Sequence, residues 1–264
     1  MQKVNWGIIG LGKVALKFSE GFKKISNAKL FGISSKDSKK LKKFKKDFKI
    51  ENNFCFNNYE NLLECKDIDI IYIALPNSLH HEWIIKCIEK EKKILVEKPA
   101  TLNFSQMKDV QNKLLNKNLL FTEAFMYRYH PQIIKVIKLI QENVIGKLIS
   151  MESFFGMDIL TKKNLFGFKK RKKLNKDSRL YNKDLGGGAI LDLGCYPVSI
   201  SQLIASLVAD IDYNSIKVLN KKKEIGSTGV DLDSYAELQF DNKFKSKIGA
   251  SFTKNLGKGT RIVG

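Results

Sequence analysis

Short apolar runs alternate with amphipathic segments along the first half of the chain. The apolar runs predict strands and the amphipathic segments predict helices, which is the alternation of βαβ units on a parallel sheet. The run DIDIIYIAL at 67–75 is almost wholly apolar, as expected of a strand buried on both faces. The predicted strands are 4–10, 29–35, 67–75, 92–100 and 119–125, and the predicted helices are 13–25, 37–48, 78–91 and 105–118.

The alternation ends near residue 123, and the second half of the chain has a different pattern. Its last strand-like runs follow one another without crossover helices, which indicates an antiparallel sheet. A basic, polar stretch at 158–185 shows no clear periodicity. The predicted elements are helices at 131–143 and 188–207 and strands at 147–157, 213–220, 234–240 and 245–254. We therefore predict an α/β domain over 1–123 and an α+β domain with a large, mostly antiparallel sheet over 124–264.

The chain carries a formal net charge of +20, which raises the question of nucleic-acid binding. Only four of its 47 basic residues are arginine, whose planar guanidinium suits phosphates and base edges best. The densest basic run, KKRKK at 169–173, falls in the aperiodic stretch. We interpret the charge as a solvated, lysine-rich surface and predict no nucleic-acid partner.

The four cysteines are scattered and form no Cys-x-x-Cys pair. Neither a disulfide framework nor a zinc site is expected, and no metal is predicted. No run approaches the roughly 18 apolar residues of a membrane span, and the opening MQKVNWGIIGLGKV lacks the layout of a signal peptide. We expect a cytoplasmic, soluble protein without a membrane partner.

The segment GLGKVA, Gly10–Ala15, fits the pattern G-x-G-x-x-A between the first predicted strand and the first predicted helix. Gly10 permits the tight turn, and Gly12 lets the backbone approach a pyrophosphate. The helix N-terminus at Lys13 and Val14 supplies N–H groups and positive potential for phosphate oxygens. These features predict a dinucleotide-binding Rossmann domain.

The end of the second predicted strand indicates which nucleotide binds. An NAD site usually places Asp or Glu there, against the ribose 2′-hydroxyl. This chain has Ser34, Ser35 and Lys36 before Asp37. A hydroxyl followed by a cation suits a 2′-phosphate, so Ser35 and Lys36 favour NADP, while Asp37 keeps NAD as the alternative.

Three further segments, PNSLHHEW (76–83), VEKPA (96–100) and GGGAILDLGCYPVSIS (186–201), resemble the Gfo/Idh/MocA family of NAD(P)-dependent oxidoreductases. The stretch EAFMYRYHPQ (123–132) is similar to the branch that holds glucose–fructose oxidoreductase, D-xylose dehydrogenase and dimeric dihydrodiol dehydrogenase. The resemblance covers essentially the whole chain in the same order. It implies a Rossmann domain followed by a domain whose large sheet commonly forms a dimer interface, so a homodimer or higher homo-oligomer is expected.

The resemblance also assigns individual residues. Lys98 falls on the family's catalytic lysine. Asp192 and Tyr196 fall on its Asp-x-Gly-x-His pattern, with tyrosine in the histidine position, as in the narrower branch. The remaining positions are the cofactor-binding Pro76, Asn77, His80, Glu97 and Lys98, and the substrate-pocket residues Arg128, Tyr129 and Arg179. For Arg128 and Tyr129, a structural role in an interdomain contact stays open as the alternative.

These side chains suit the oxidation of a sugar or vicinal-diol hydroxyl, which requires hydride loss to a nicotinamide and proton loss to a base. A free tyrosine, with a pKa of about 10, is a poor base at neutral pH. A nearby ammonium such as that of Lys98 favours the phenolate and lowers this pKa. Asp192, four residues before Tyr196, would orient the lysine or the substrate hydroxyl. The three glycines at 186–188 would admit substrate or cofactor closely.

A protein of a different class remains the alternative, namely a nucleotide-binding sensor or regulator that kept the fold and lost turnover. The set of Lys98, Asp192 and Tyr196 argues against it, because a pure binding protein needs no base. The chain ends at TRIVG, where the family usually continues into further strands. We therefore expect an incomplete sheet with an unpaired edge.

Overall fold

The computed structural model describes residues 3–163, 168–212 and 214–264, except for the side chains of residues 163 and 169. Residue 213, which begins a predicted strand, and residues 164–167, in the aperiodic stretch, lie outside the described residues. The chain divides into two compact units, Met1–Ala124 and Phe125–Gly264, which we call the first unit and the second unit.

The first unit is built from alternating strands and helices. Its elements are β1 (Val4–Ile9), α1 (Lys13–Gly21), β2 (Ala28–Ser34), α2 (Ser38–Phe48), β3 (Cys55–Phe56), α3 (Tyr59–Glu64), β4 (Ile70–Ile73), α4 (Asn77–Glu89), β5 (Lys93–Val96), α5 (Phe104–Leu114) and β6 (Phe121–Glu123). The strands form one parallel sheet in the order β3-β2-β1-β4-β5-β6. This is the order of a Rossmann sheet, so the predicted fold is confirmed. The short β3 and α3 were not predicted.

Both faces of this sheet are covered, which explains the apolar strands. All four residues of β4 are buried, and successive side chains point to opposite faces. Ile71 and Ile73 pack in the core formed with α3, α4 and α5. Tyr72, between them, packs in the core formed with α1 and α2. The tyrosine is the one polar side chain in the strand.

The second unit carries a mixed, largely antiparallel sheet. Its elements are α6 (Pro131–Gln141), β7 (Ser150–Gly156), β8 (Thr161–Lys163), β9 (Lys169–Arg171), α7 (Cys195–Ala205), β10 (Ile216–Ile225), β11 (Asp231–Phe240), β12 (Phe244–Ser251) and β13 (Thr260–Val263). The large sheet has the order β10-β11-β12-β7-β13, and only the β12–β7 pairing is parallel. The predicted fold class is confirmed. The antiparallel pair of β8 and β9, within the stretch predicted to be aperiodic, and the strand β13 were not predicted.

Helix α7 lies in the core of the second unit. Ile200 and Ile204 pack with Phe240, Phe244 and Ile248 of the sheet. By length and composition alone, the segment Lys183–Ala205 could cross a membrane, but 56% of its most apolar window is buried inside the fold. Packing against the sheet therefore accounts for its apolarity.

The helix predicted over 188–207 is not a regular α-helix in its first part. Residues Ile190–Gly194 form a π-helical turn, and the α-helix begins only at Cys195. Pro197 has no N–H to donate to the carbonyl of Leu193, so regular α-helical pairing is interrupted there. A π-helical turn winds more loosely than the α-helix that follows it here.

Candidate active site

The glycine loop after β1 opens the N-terminus of α1. Gly10 has a φ of +88°, and a Cβ there would lie 2.6 Å from the carbonyl oxygen of Ala74. Gly12 is the N-cap of α1 without a side-chain cap, and a Cβ there would meet nothing within 4 Å. Lys13 and Val14 follow, both exposed. These residues fit a pyrophosphate, because open space adjoins a helix N-terminus whose first turn carries no acidic side chain.

A buried hydroxyl and an exposed lysine follow β2. Ser35 is 5% exposed, and its Oγ accepts a hydrogen bond from the backbone N–H of Asp37 at 3.1 Å. Lys36 is exposed, and its Nζ lies 5.7 Å from the centre of the Tyr59 ring. Ser34, just before them, donates to the carbonyl of Phe56 inside the unit. Ser34 and Ser35 are buried, whereas Lys36 is exposed to solvent.

The carboxylate of Asp37 is engaged by its own helix. It accepts hydrogen bonds from the backbone N–H groups of Lys39 and Lys40, at 3.0 and 3.1 Å, as the N-cap of α2. The Lys40 N–H is the main cause that lowers the pKa of Asp37 below its usual range. The acidic group that the NAD alternative requires therefore already has a structural role.

The loop around Lys98 is held from three elements of the first unit. Tyr72 of β4 donates a hydrogen bond from its phenol to Oε1 of Glu97 at 2.5 Å. Nδ1 of His80 in α4 lies 2.8 Å from the carbonyl oxygen of Pro99. The backbone N–H of Ala100 donates to Oε1 of Glu123 at 2.8 Å. The residues on both sides of Lys98 are thus fixed by neighbouring elements.

His80, which is predicted to bind the cofactor, is buried in the first unit. The side chain has no exposed surface, and its Nε2 lies 2.9 Å from the carbonyl oxygen of Leu75. Burial lowers the pKa of His80, and its two carbonyl partners oppose this effect. With both ring nitrogens facing carbonyl oxygens, His80 supports the loop instead of lying open to a ligand. Pro76 and Asn77, the N-cap and first residue of α4, lie beside this support.

In the second unit, Asp231 holds the start of the π-helical turn. Its Oδ2 accepts hydrogen bonds from the backbone N–H of Ile190 at 2.8 Å and from the hydroxyl of Ser234 at 2.7 Å. Gly188 has a φ of +121°, and a Cβ there would lie only 2.2 Å from Oδ1 of Asp231. The glycine is therefore needed for this close approach, which sets the path of the backbone that leads to Asp192.

Asp192 forms an ion pair with Arg179. The Nη1 of Arg179 lies 3.0 Å from Oδ1 of Asp192, and the exposed fractions of the two side chains are 56% and 17%. The sequence placed both residues at the substrate but did not predict that they pair. The pair presents a guanidinium toward solvent beside a mostly covered carboxylate.

Aromatic rings surround Tyr196. The ring centres of Phe125, Tyr127 and Phe155 lie 5.6, 6.2 and 5.5 Å from the centre of its ring. Aromatic rings at these distances prefer edge-to-face or offset arrangements, so the contacts restrict the orientation of the Tyr196 ring. Tyr196 is therefore held by packing within the second unit.

Arg128 is bound to the helix that carries Tyr196. Its Nη2 donates to the hydroxyl of Ser199 at 3.0 Å, and the phenol of Tyr127 donates to the same hydroxyl at 2.9 Å. Ser199 lies in α7, three residues after Tyr196, and is buried. Arg128 thus has a structural partner within the second unit, while Tyr129 beside it is 73% exposed.

Both units of the chain match models of known protein families. Residues 4–125 match the model described as an oxidoreductase family with an NAD-binding Rossmann fold, and residues 133–264 match the GFO/IDH/MocA C-terminal domain. The chain belongs to the GFO/IDH/MocA family of oxidoreductases. The predicted family is confirmed.

Members of the GFO/IDH/MocA family with named activities resemble the chain over most of its length. A trans-1,2-dihydrobenzene-1,2-diol dehydrogenase of Xenopus tropicalis is 26% identical over 98% of this chain and 72% of its own length. A D-xylose 1-dehydrogenase (NADP(+)) of Haloferax volcanii is 25% identical over 94% of this chain and 69% of its own length. A solved 3-ketoreductase of Actinomadura kijaniata, in complex with NADP and TDP-benzene, has a TM-score of 0.82 at 24% identity, over 100% of this chain and 74% of that chain.

Several supporting residues in this GFO/IDH/MocA chain were not found by sequence reasoning. They are Tyr72, Glu123, Ser199 and Asp231, and each contacts a predicted site residue or the backbone two residues away from one. Tyr72 could have been selected from the sequence, because it is a phenol inside an otherwise aliphatic strand. The others lie among ordinary polar positions, where the sequence gives no reason to select them.

Proposed function

We propose that this chain is an NAD(P)-dependent oxidoreductase that transfers hydride between a nicotinamide cofactor, preferably NADP, and a CH–OH group of a sugar or vicinal diol. The observation that supports it best combines two facts. Both halves of the chain match models of an oxidoreductase family, and the chain has a lysine at 98, a carboxylate at 192 and a phenol at 196. A protein that only bound the nucleotide would have no use for this set.

In this proposal each residue has one task. Oη of Tyr196 takes the proton of the substrate hydroxyl, and the ammonium of Lys98 favours the phenolate and so lowers the pKa of the tyrosine. Asp192, held by Arg179, orients the substrate hydroxyl. When bound, the nicotinamide ring would supply the hydride chemistry. Tyr129, exposed on the turn before α6, is proposed to contact substrate.

The proposed preference for NADP is supported by the end of β2. Lys36 offers a cation to a 2′-phosphate, and the carboxylate of Asp37 is engaged by the backbone of α2. The named activity of the Haloferax relative also includes NADP(+). The residues for the pyrophosphate are Gly10, Gly12, Lys13 and Val14.

Replacing Lys36 with alanine should weaken NADP+ binding by about tenfold or more, because it removes a charged partner of the 2′-phosphate. NAD+ has no 2′-phosphate, so its dissociation constant should change by less than about twofold. Both constants are measured by calorimetry or by quenching of protein fluorescence.

Asp37→Asn is the matched variant, because asparagine caps a helix as well as aspartate does. It keeps the cap of α2 and removes only the charge. We expect the dissociation constants of NAD+ and NADP+ to be unchanged. A selective loss of NAD+ affinity in Asp37→Asn would instead assign the site to NAD.

The substrate proposal is tested by following the absorbance of the reduced nicotinamide. D-xylose, D-glucose, a polyol and a trans-diol are offered with NADP+ and with NAD+. Turnover with one of them supports the enzyme. Tight nucleotide binding with no turnover on any of them, in either direction, supports a nucleotide-binding sensor instead.

We further propose that copies of the chain associate through the sheet of the second unit, as the family resemblance implies. Light scattering after size-exclusion chromatography measures the mass directly. A mass of 30.1 kDa, that of a single chain, would contradict this proposal.

A further inference from the structure

Tyr72 stands out because it places a hydroxyl deep inside the first unit. The side chain is 1% exposed, and its ring centre lies 4.2 Å from that of Phe18. The ring fills the core beside α1, as an aliphatic residue could. The hydroxyl donates a 2.5 Å hydrogen bond to Oε1 of Glu97, which an aliphatic residue could not do.

The phenol of Tyr72 is a permanent donor. Burial is the main cause that raises its pKa far above the usual value, and the charge of Glu97 and the hydrogen bond to it add to the effect. The hydroxyl therefore keeps its proton at any working pH. Glu97 in turn accepts a charge-assisted hydrogen bond, which is stronger than one between neutral groups.

Glu97 is the residue directly before Lys98, and it lies at the end of β5. On the other side of the lysine, the carbonyl of Pro99 and the N–H of Ala100 are held by His80 and Glu123. Tyr72 thus adds a side-chain contact on the N-terminal side of Lys98, where the backbone N–H of Glu97 also donates to the carbonyl oxygen of Ile73 at 3.0 Å. Without Tyr72, the Glu97 side chain would lose its buried donor, and only the backbone hydrogen bond would hold that residue.

We propose that Tyr72 is a positioning residue, which fixes Lys98 by binding the side chain of Glu97. This inference rests on the proposed function, because it assumes that Lys98 lowers the pKa of Tyr196. Tyr72 itself contacts neither substrate nor cofactor. Its effect should therefore appear in kcat and in the pH dependence of kcat.

The experiment is Tyr72→Phe, which removes one oxygen atom and keeps the ring in the core. We expect kcat to fall by about tenfold or more. The pH at which kcat reaches half its maximum should rise, because a displaced Lys98 favours the phenolate less. Ser19→Ala, which removes another fully buried hydroxyl of the first unit, should change neither quantity.

A double-mutant cycle with Glu97→Ala tests whether Tyr72 acts through Glu97. If it does, Tyr72→Phe causes little further loss once the carboxylate is absent. Equal losses in the two backgrounds would overturn the inference, as would a Tyr72→Phe enzyme with the kcat and pH profile of the wild type.

A second measurement does not depend on turnover. The rate at which Lys98 is acetylated by an N-hydroxysuccinimide ester is followed by peptide mass spectrometry in wild type and in Tyr72→Phe. We expect the rates to differ by about threefold or more, because the hydrogen bond to Glu97 restricts the position of the next residue, Lys98; equal rates overturn the positioning role. If the wild type turns over no substrate, the proposed function fails while this comparison still decides the role of Tyr72.

Discussion

Replacing Tyr196 with phenylalanine should lower kcat by a factor of about 10²–10⁴, which is the usual contribution of a general base. The substitution removes only the oxygen that would take the substrate proton. The ring keeps its contacts with Phe125, Tyr127 and Phe155, so the second unit should stay folded. Steady-state kinetics with the best substrate measure kcat, and a thermal melt checks the fold.

Tyr127→Phe is the matched control, because it removes a second phenol from the same cluster of rings. Its hydroxyl binds Ser199, which also accepts a hydrogen bond from Arg128. The loss of one such bond costs roughly 1 kcal/mol, so kcat should stay within about tenfold of the wild type. Similar losses in both variants would assign Tyr196 a packing role and contradict its proposed role as the base.

The architecture could be predicted wherever burial imposes a repeating pattern. β4 is buried on both faces, so it is apolar throughout, and α6 follows a predicted helix closely because one face packs in the core. β13 could not be predicted, since its four residues carry no long pattern and it exists by pairing with β7. The π-helical turn also escaped prediction, because its five residues are too few to show a change in hydrophobic periodicity.

The residues of the candidate site could be predicted from the sequence, but the residues that support them could not. Gly10 lies in a short motif whose chemistry can be inferred locally, whereas Lys98 and Tyr196 are assigned through the family resemblance. Their supports depend on contacts between distant segments: Tyr72 is 25 residues from Glu97, and Asp231 is 41 residues from Ile190. A polar residue gives no local sign of which distant group it will bind. The supports therefore became visible only in the folded chain.

Gly188→Ala should destabilise the second unit by about 3 kcal/mol and also lower activity. A residue with a side chain at φ +121° is strained, which costs about 1–3 kcal/mol. The new Cβ would also lie 2.2 Å from Oδ1 of Asp231, so that carboxylate must move and release the N–H of Ile190. Loss of such a helix-start bond costs about 1 kcal/mol more. Urea unfolding followed by circular dichroism gives the change in free energy.

Gly229→Ala separates the two causes, because Gly229 also has a positive φ, +83°, but a Cβ there would meet nothing within 4 Å. The Gly229→Ala variant should lose about 1–2 kcal/mol of its free energy of unfolding, from backbone strain alone, and should keep full activity. If the loss of stability in Gly188→Ala exceeds this and kcat falls only there, the contact with Asp231 sets the geometry of Asp192. If the two variants lose equal stability and both keep wild-type kcat, Gly188 matters only for its backbone conformation, and the proposed route from Asp231 to the active site is wrong.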